Sequence, residues 1–314
     1  MEQGYVYKSP LTKQSTKTKP QNIEKYLIWH IQGGLGKNIA ATALIKDLKA
    51  EYSDRKLIMV VSHPEVFINN PNIDRVYQLG QTPYFYQDYI YNKDVIIFRH
   101  EPYHQTGHIT KTKHLIENWC DLLGLAYKMQ KPEIFVNYMQ RQSINIWNRS
   151  QPIMVIQTNG GPGDIHTPSY SWTRDMPINV AQHIVDRFKH DYHIIQITKP
   201  DGYFLEGVER FDAKISNMEL FALLVVAQKR VLIDSCLQHA AAAFDLPSTV
   251  LWIGTSPTVF GYNMHTNIEA NLPETANQLI GSYLFDYQFD NNDYECPYIN
   301  IEDIFNIEYV FNKI

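Results

Sequence analysis

The stretch Val231–Tyr262, VLIDSCLQHAAAAFDLPSTVLWIGTSPTVFGY, decides how the chain is read. Val231-Leu232-Ile233 is a short apolar run of strand type, and Asp234-Ser235 breaks it. Ala240 to Ala243 continue as a helix that Leu246-Pro247 closes, and the β-rich run Thr249 to Ile253 follows, ending in Gly254-Thr255-Ser256-Pro257. Strand, short helix and strand make a βαβ unit, whose strands lie parallel. Ligands of such units sit beyond the carboxyl ends of the strands, near helix N-termini. There, unpaired amides and the positive end of the helix dipole suit a phosphate. Asp234, Ser235, Cys236 and Leu237 fall at that place, with His239 close enough along the helix to add a donor. The plainer reading is a buried βαβ unit with Asp234 or Ser235 as helix cap and His239 satisfied in the core.

Working outward, the same plan recurs near the start of the chain. Leu27 to Ile31 is a buried strand, Gly33-Gly34-Leu35-Gly36 a turn, and Asn38 to about Tyr52 has apolar residues at helical spacing. Leu57 to Val61 is the next strand. The glycine turn is neither a P-loop nor a dinucleotide fingerprint, since both spacings fail. What it meets is the need for close approach of backbone to a ligand.

Length and composition fit this plan. The 314 residues suit two α/β domains. With 44% hydrophobic and 19% charged residues there is ample core. A net charge of -5 argues against a broad nucleic-acid footprint. Cys120, Cys236 and Cys296 are far apart and form no metal-type grouping. No apolar run reaches membrane-span length and the first residues lack a signal-peptide core, so a cytoplasmic setting without a transmembrane segment is expected. Residues 1–22 are polar and aperiodic and read as a flexible arm.

Two motifs carry a resemblance. HIQGGLGKNIAATALIKDLKAEY (His30–Tyr52), followed by LIMVVSHPEVFINNPNIDRVYQL (Leu57–Leu79), resembles the N-terminal half of ADP-heptose:lipopolysaccharide heptosyltransferases, in glycosyltransferase family 9. Asp234-Ser235-Cys236, His239 and Ala240 to Ala242 are similar to the C-terminal Asp-Thr-Gly-x-x-His-x-Ala-Ala-Ala motif of that family. The resemblance implies an α/β fold of two facing Rossmann-like domains with parallel sheets, the GT-B arrangement. It divides the chain into an acceptor-side domain (23–148), a domain that binds the nucleotide sugar (149–282) and a C-terminal extension (283–314) that braces the N-terminal domain. It further implies a metal-independent, inverting transfer from a nucleoside-diphosphate sugar donor to a hydroxyl of a glycan, a lipid-linked or another acceptor, with no cofactor.

The remaining candidates follow chain order. Where the family commonly has, after the turn, an Asp acting as general base or as its orienter, this chain has Lys37. Lysine is a poor proton acceptor unless burial lowers its pKa, so Lys37 reads as a cation. Val95 to Phe98 is a strand ending in Arg99-His100-Glu101-Pro102-Tyr103-His104, and Glu101, His104 and Asp164 are the base candidates. His108 is a further acid–base candidate, and Lys111 and Lys113 read as acceptor contacts. Gly33, Gly34 and Gly36 line the turn on the acceptor side. On the donor side, Asn159 and Gly160 follow a strand at Ile153 to Gln157, and Arg174 matches a basic residue the family sets before a Trp-Pro pair. A guanidinium suits a diphosphate by giving two parallel hydrogen bonds. Lys199 and Asp201, at the exit of the strand His193 to Ile197, are candidates for the base and ribose. Two rivals stay open: an epimerase or hydrolase on the same scaffold, and a nucleotide-sugar-binding protein without catalysis, which Lys37 in place of Asp favours.

Overall fold

A computed structural model describes residues 5–8, 23–160, 171–211, 215–271, 298 and 300–314. The expected α/β class is present twice. Of these residues, those up to His104 together with Ile116–Phe135 form one compact unit, and Gln105–Leu115 with Val136 onward form a second.

The first unit is built on a sheet of strands β1 (Tyr5–Lys8), β2 (Lys25–Ile31), β3 (Lys56–Val61), β4 (Arg75–Gln78) and β5 (Asp94–Arg99), in the order β1-β5-β2-β3-β4. β2 runs parallel to β3 and β5. Its residues alternate between two cores, as the period-2 pleat requires. Tyr26 and Ile28 pack with Ile58, Val60, Tyr77 and Val95 on one face. On the other, Trp29 meets Trp119 edge-on at 5.8 Å, both fully buried. Trp119 lies on the helix Leu115–Leu123, which the apolar spacing anticipates. The helix expected from Asn38 to Tyr52 instead starts at Leu35 and passes through a tighter turn at Thr42–Leu44 before continuing to Glu51. The stretch read as a flexible arm contains β1, antiparallel to β5. Tyr5-Val6-Tyr7 has the aromatic and β-branched character of a strand, and β5 offers a free edge.

The second unit holds β6 (Ile153–Gln157), β7 (His193–Ile197), β8 (Glu209–Arg210), β9 (Lys229–Ile233), β10 (Thr249–Trp252) and β11 (Thr266–Glu269), in the order β11-β10-β9-β6-β7-β8, all parallel. Residues 153–156, 231–233 and 250–252 of the central strands are buried and apolar without alternation, as burial on both faces requires. The helix Asn217–Val226 opens with the capping box that Ser216 and Glu219 predict: each side chain takes up the other's backbone N–H.

The C-terminal stretch, expected against the N-terminal domain, enters the core of the second unit. Tyr298, Ile304, Phe305 and Val310 pack with Val180, Ile184 and Phe188 of the helix Ile178–Phe188. Lys229 Nζ donates to the carbonyl of Ile314 at 2.5 Å, and Thr249 Oγ1 to that of Lys313 at 2.8 Å. The apolar face Ile304-Phe305-Ile307-Val310 needs cover, and the helix surface beside β6 supplies it.

Candidate functional site

In each sheet the first of the parallel strands, β2 or β6, has its successor on one side and a later strand on the other. The carboxyl ends of these diverging neighbours are where parallel α/β sheets bind ligands. Functional candidates collect at both places.

In the first unit the switch lies between β2 and β5. Gly33 has φ 122°, a backbone that L side chains rarely adopt, and a Cβ there would lie 3.1 Å from Lys37 Cδ. Glycine therefore leaves room for the lysine to turn back under the loop. Asn38 locks the turn by donating to the carbonyls of Gly33 and Gly34 at 3.1 and 2.9 Å. Gly36 lies in the first turn of the helix Leu35–Ala41. Lys37 is buried, forms an ion pair with Glu101 from beyond β5, and stands 4.9 Å from the ring centre of Tyr103. Burial pushes the Lys37 ammonium below its ordinary pKa, and the Glu101 carboxylate pulls it back up. Glu101 keeps 35% of its side chain exposed. The pair is thus a buried cation beneath a carboxylate open to solvent. His104 is exposed, in the turn Pro102–His104.

In the second unit the switch lies between β6 and β9. Their register pairs Ile156 with Val231. Carried onward it brings Gly160 beside Ser235, and a Cβ on Gly160 would lie 3.3 Å from Ser235 Oγ. Ser235 is extended and caps the helix Cys236–Ala243 without a side-chain hydrogen bond. The amides of Cys236 and Leu237 have the Cys236 sulfur, a weak acceptor, beside them, which leaves the helix start open to a stronger, anionic one. Leu237 is buried, so only its backbone can serve there, while Ser235 and Cys236 are half-buried. Asp234 is buried; burial raises its carboxyl pKa, opposed by the charges of Arg174 and Lys111 and by the hydroxyl of Thr255. Arg174 itself is exposed.

His239, expected to offer a donor to phosphate, has both ring nitrogens engaged inside the unit. Nε2 lies 3.1 Å from the Gln238 amide nitrogen and Nδ1 2.8 Å from Tyr262 Oη. With the amide donating to Nε2, the ring is a neutral Nδ1–H donor to the tyrosine. Lys199 is buried beyond β7, Asp201 is exposed, and Asp164 lies outside the described residues.

The hub of this edge is Asp175. Its buried carboxylate accepts from Asn159 Nδ2 at 2.9 Å, Gly160 N at 3.0 Å and Ser171 N at 2.8 Å. Asn159 in turn accepts from Thr198 Oγ1 at 2.5 Å, tying the β6 exit to the β7 exit. The sequence reading passed over Asp175 and Thr198. The signal for Asp175 was an acidic residue directly before the buried Met176-Pro177 pair, where a charge must find several donors.

No family model matches the sequence, and no curated protein matches it. Solved structures do. Glycosyl transferase family 9 from Veillonella parvula superposes with a TM-score of 0.63 at 14% identity, covering 93% of this chain and 97% of that one. TibC from enterotoxigenic E. coli, an iron-containing dodecameric glycosyltransferase, gives 0.66 at 14%, covering 93% and 76%. E. coli heptosyltransferase WaaC with ADP gives 0.51 at 14%, covering 78% and 93%. The chain has the fold of the family 9 glycosyltransferases. Two sheets, parallel apart from the edge strand β1, with helices and each with its switch point, match the GT-B neighbours expected from the two motifs. Among the described residues of this glycosyltransferase fold, no group of three or more His, Cys, Asp or Glu side chains converges to hold a metal. Nor is any helix among them long and apolar enough to cross a membrane.

Proposed function

We propose that the chain is a glycosyltransferase. It takes a sugar from a nucleoside-diphosphate sugar, a heptose in the first instance, and passes it with inversion to a hydroxyl of a glycan or lipid-linked acceptor. The observation that carries this reading is the β6–β9 switch of the second unit. Gly160 lies against Ser235 at the uncapped start of the helix Cys236–Ala243, and the charges of Arg174 and Lys111 reach Asp234 directly before it. A diphosphate fits that place, because helix amides and a guanidinium supply fixed positive charge where the leaving group develops its negative charge. The likeness to structures of glycosyltransferases, one holding ADP, supports the same assignment.

In the first unit, Glu101 is the proposed base and Lys37 its orienting cation. The acceptor O–H proton passes to the Glu101 carboxylate as the acceptor oxygen bonds the anomeric carbon and the diphosphate departs. A single displacement of this kind inverts the anomeric centre. Lys37 then occupies a place that supports a carboxylate rather than being one.

The test is donor-dependent. The protein is titrated with ADP-heptose and with UDP- and GDP-hexoses while its melting midpoint is followed, and free nucleoside diphosphate is assayed with and without glycan acceptor. A bound donor raises the midpoint by mass action, and transfer releases diphosphate faster when acceptor is present. A protein that neither gains stability from any donor nor releases diphosphate is not this enzyme. Release at full rate without acceptor would point to the hydrolase instead.

A further inference from the structure

We infer that Lys111 belongs to the donor site of the second unit, where it binds the diphosphate group of a nucleoside diphosphate. The inference rests on the donor reading above and adds a residue to it.

Lys111 sits in Gln105–Leu115, a segment flanked in sequence by residues of the first unit yet part of the second. The segment is fastened to the second unit along its length. His108 packs edge-on against Phe260 at 5.5 Å, and His114 against Tyr262 at 5.5 Å. Between these anchors Lys111 Nζ donates to the carbonyl of Gly254 at 3.0 Å, at the exit of β10. Gly254 is itself pressed onto the next loop: its N–H donates to Thr173 O at 2.8 Å, and a Cβ on it would lie 3.0 Å from Thr173 Cα. Thr173 precedes Arg174. The ammonium is thereby built into the ends of β9 and β10, on the carbonyl of a residue whose neighbouring loop carries the guanidinium.

Two further observations concern the charge around this side chain and its backbone. Lys111 and Arg174 both act on the carboxyl of Asp234, whose pKa burial raises and their charges lower, so that positive charge gathers at the ends of β9 and β10. The backbone also favours another residue. Lys111 has φ 55° and follows the short helix Thr106–Ile109, with its N–H on His108 O and the N–H groups of Thr112 and Lys113 on Gly107 O. This is the left-handed position after a helix end, which glycine fills most easily. A lysine there carries backbone strain that glycine would not.

That strain makes the test clean, because Lys111→Gly removes the ammonium while relieving the backbone. Binding of ADP, AMP and adenosine to the full chain is measured by calorimetry, alongside the melting midpoint without ligand. The expected result is a loss of about ten-fold in ADP affinity, a smaller loss for AMP and none for adenosine. The unliganded midpoint should stay within about 2 °C of the parent or rise. Lys111→Arg should keep the preference for ADP over AMP. If K111G keeps the parent's ADP-to-AMP ratio, Lys111 does not touch the diphosphate, and the donor reading survives without it. If the unaltered protein binds no nucleoside diphosphate among ADP, UDP and GDP, the donor reading fails and this inference falls with it.

Discussion

Lys37 and Glu101 show what a single exchange of charge does to a site. A buried ammonium is tolerated only with a partner, and removing the partner costs more than removing both. Glu101→Gln is therefore expected to lower stability by about 1–3 kcal/mol, and Lys37→Met in the same chain to restore part of it. Urea unfolding of the two single variants and the double checks this order; a double variant less stable than E101Q would contradict it. E101Q should also lower transfer by about 10²–10⁴-fold while ADP binding is kept.

Three histidines of the second unit predict a pH dependence. Burial, reinforced by the repulsion that a protonated His114 or His265 would exert, holds His239 down to about 3. Burial holds His114 down to about 4 and also lowers His265, whose Nε2 donates to Gln238 O at 3.0 Å. All three are neutral when folded and take protons more readily when unfolded, where the usual value is about 6.5. Their contribution is complete above that value and is lost as pH falls through it toward the folded values. The slope is about 1.4 kcal/mol per pH unit for each histidine inside the window. The Asp234 carboxyl, raised by burial, works in the opposite sense above its usual value of 3.8. Melting midpoints between pH 7 and pH 4, as compared for the parent and His239→Gln, should fall less steeply in the variant. Equal slopes would mean that His239 is not held neutral. The role of His239 was not readable locally, because its partner Tyr262 comes from beyond the next strand.

The strands and helices of the two βαβ units were legible because period and punctuation agree: apolar runs, then glycine or Asp-Ser, then apolar residues at helical spacing. What was not legible is the joining of separate exits. Asp175, Asn159 and Thr198 come from three stretches, and nothing local says that they meet. The same network makes a prediction for the loop after β7. A Cβ on Gly202 would overlap Thr198 Oγ1 and lie 2.8 Å from Asn159 Oδ1. Gly202→Ala must push the two apart and loosen Asn159 from Asp175, at a cost of about 1–3 kcal/mol. Chemical denaturation gives the stability, and weaker ADP binding should accompany the loss. Unchanged stability would mean that the loop shifts freely and that the Asn159–Thr198 contact does not hold it.

Across the whole chain, the segment Gln105–Leu115 couples sequence order to function in a way that domain counting from the sequence misses. Its residues read as the polar exit of a first-domain strand, and Lys111 as an acceptor contact, since nothing in a strand's sequence reveals that the next turn packs elsewhere. Anchoring by His108 and His114 decides it. Hydrogen exchange with and without ADP follows from this placement. A ligand at 100 times its dissociation constant adds about 2.7 kcal/mol to the stability of whatever must open to release it. Amides of Gly160, Ser235–Leu237 and Lys111–Lys113 should therefore slow by up to about 100-fold, since opening of the donor edge is what exposes them. Glu101–His104, the chain immediately before the segment but part of the first unit, should keep its rate. Slowing at Glu101–His104 that matches Lys111–Lys113 would mean that the segment responds to nucleotide with its neighbours in sequence rather than with β9 and β10.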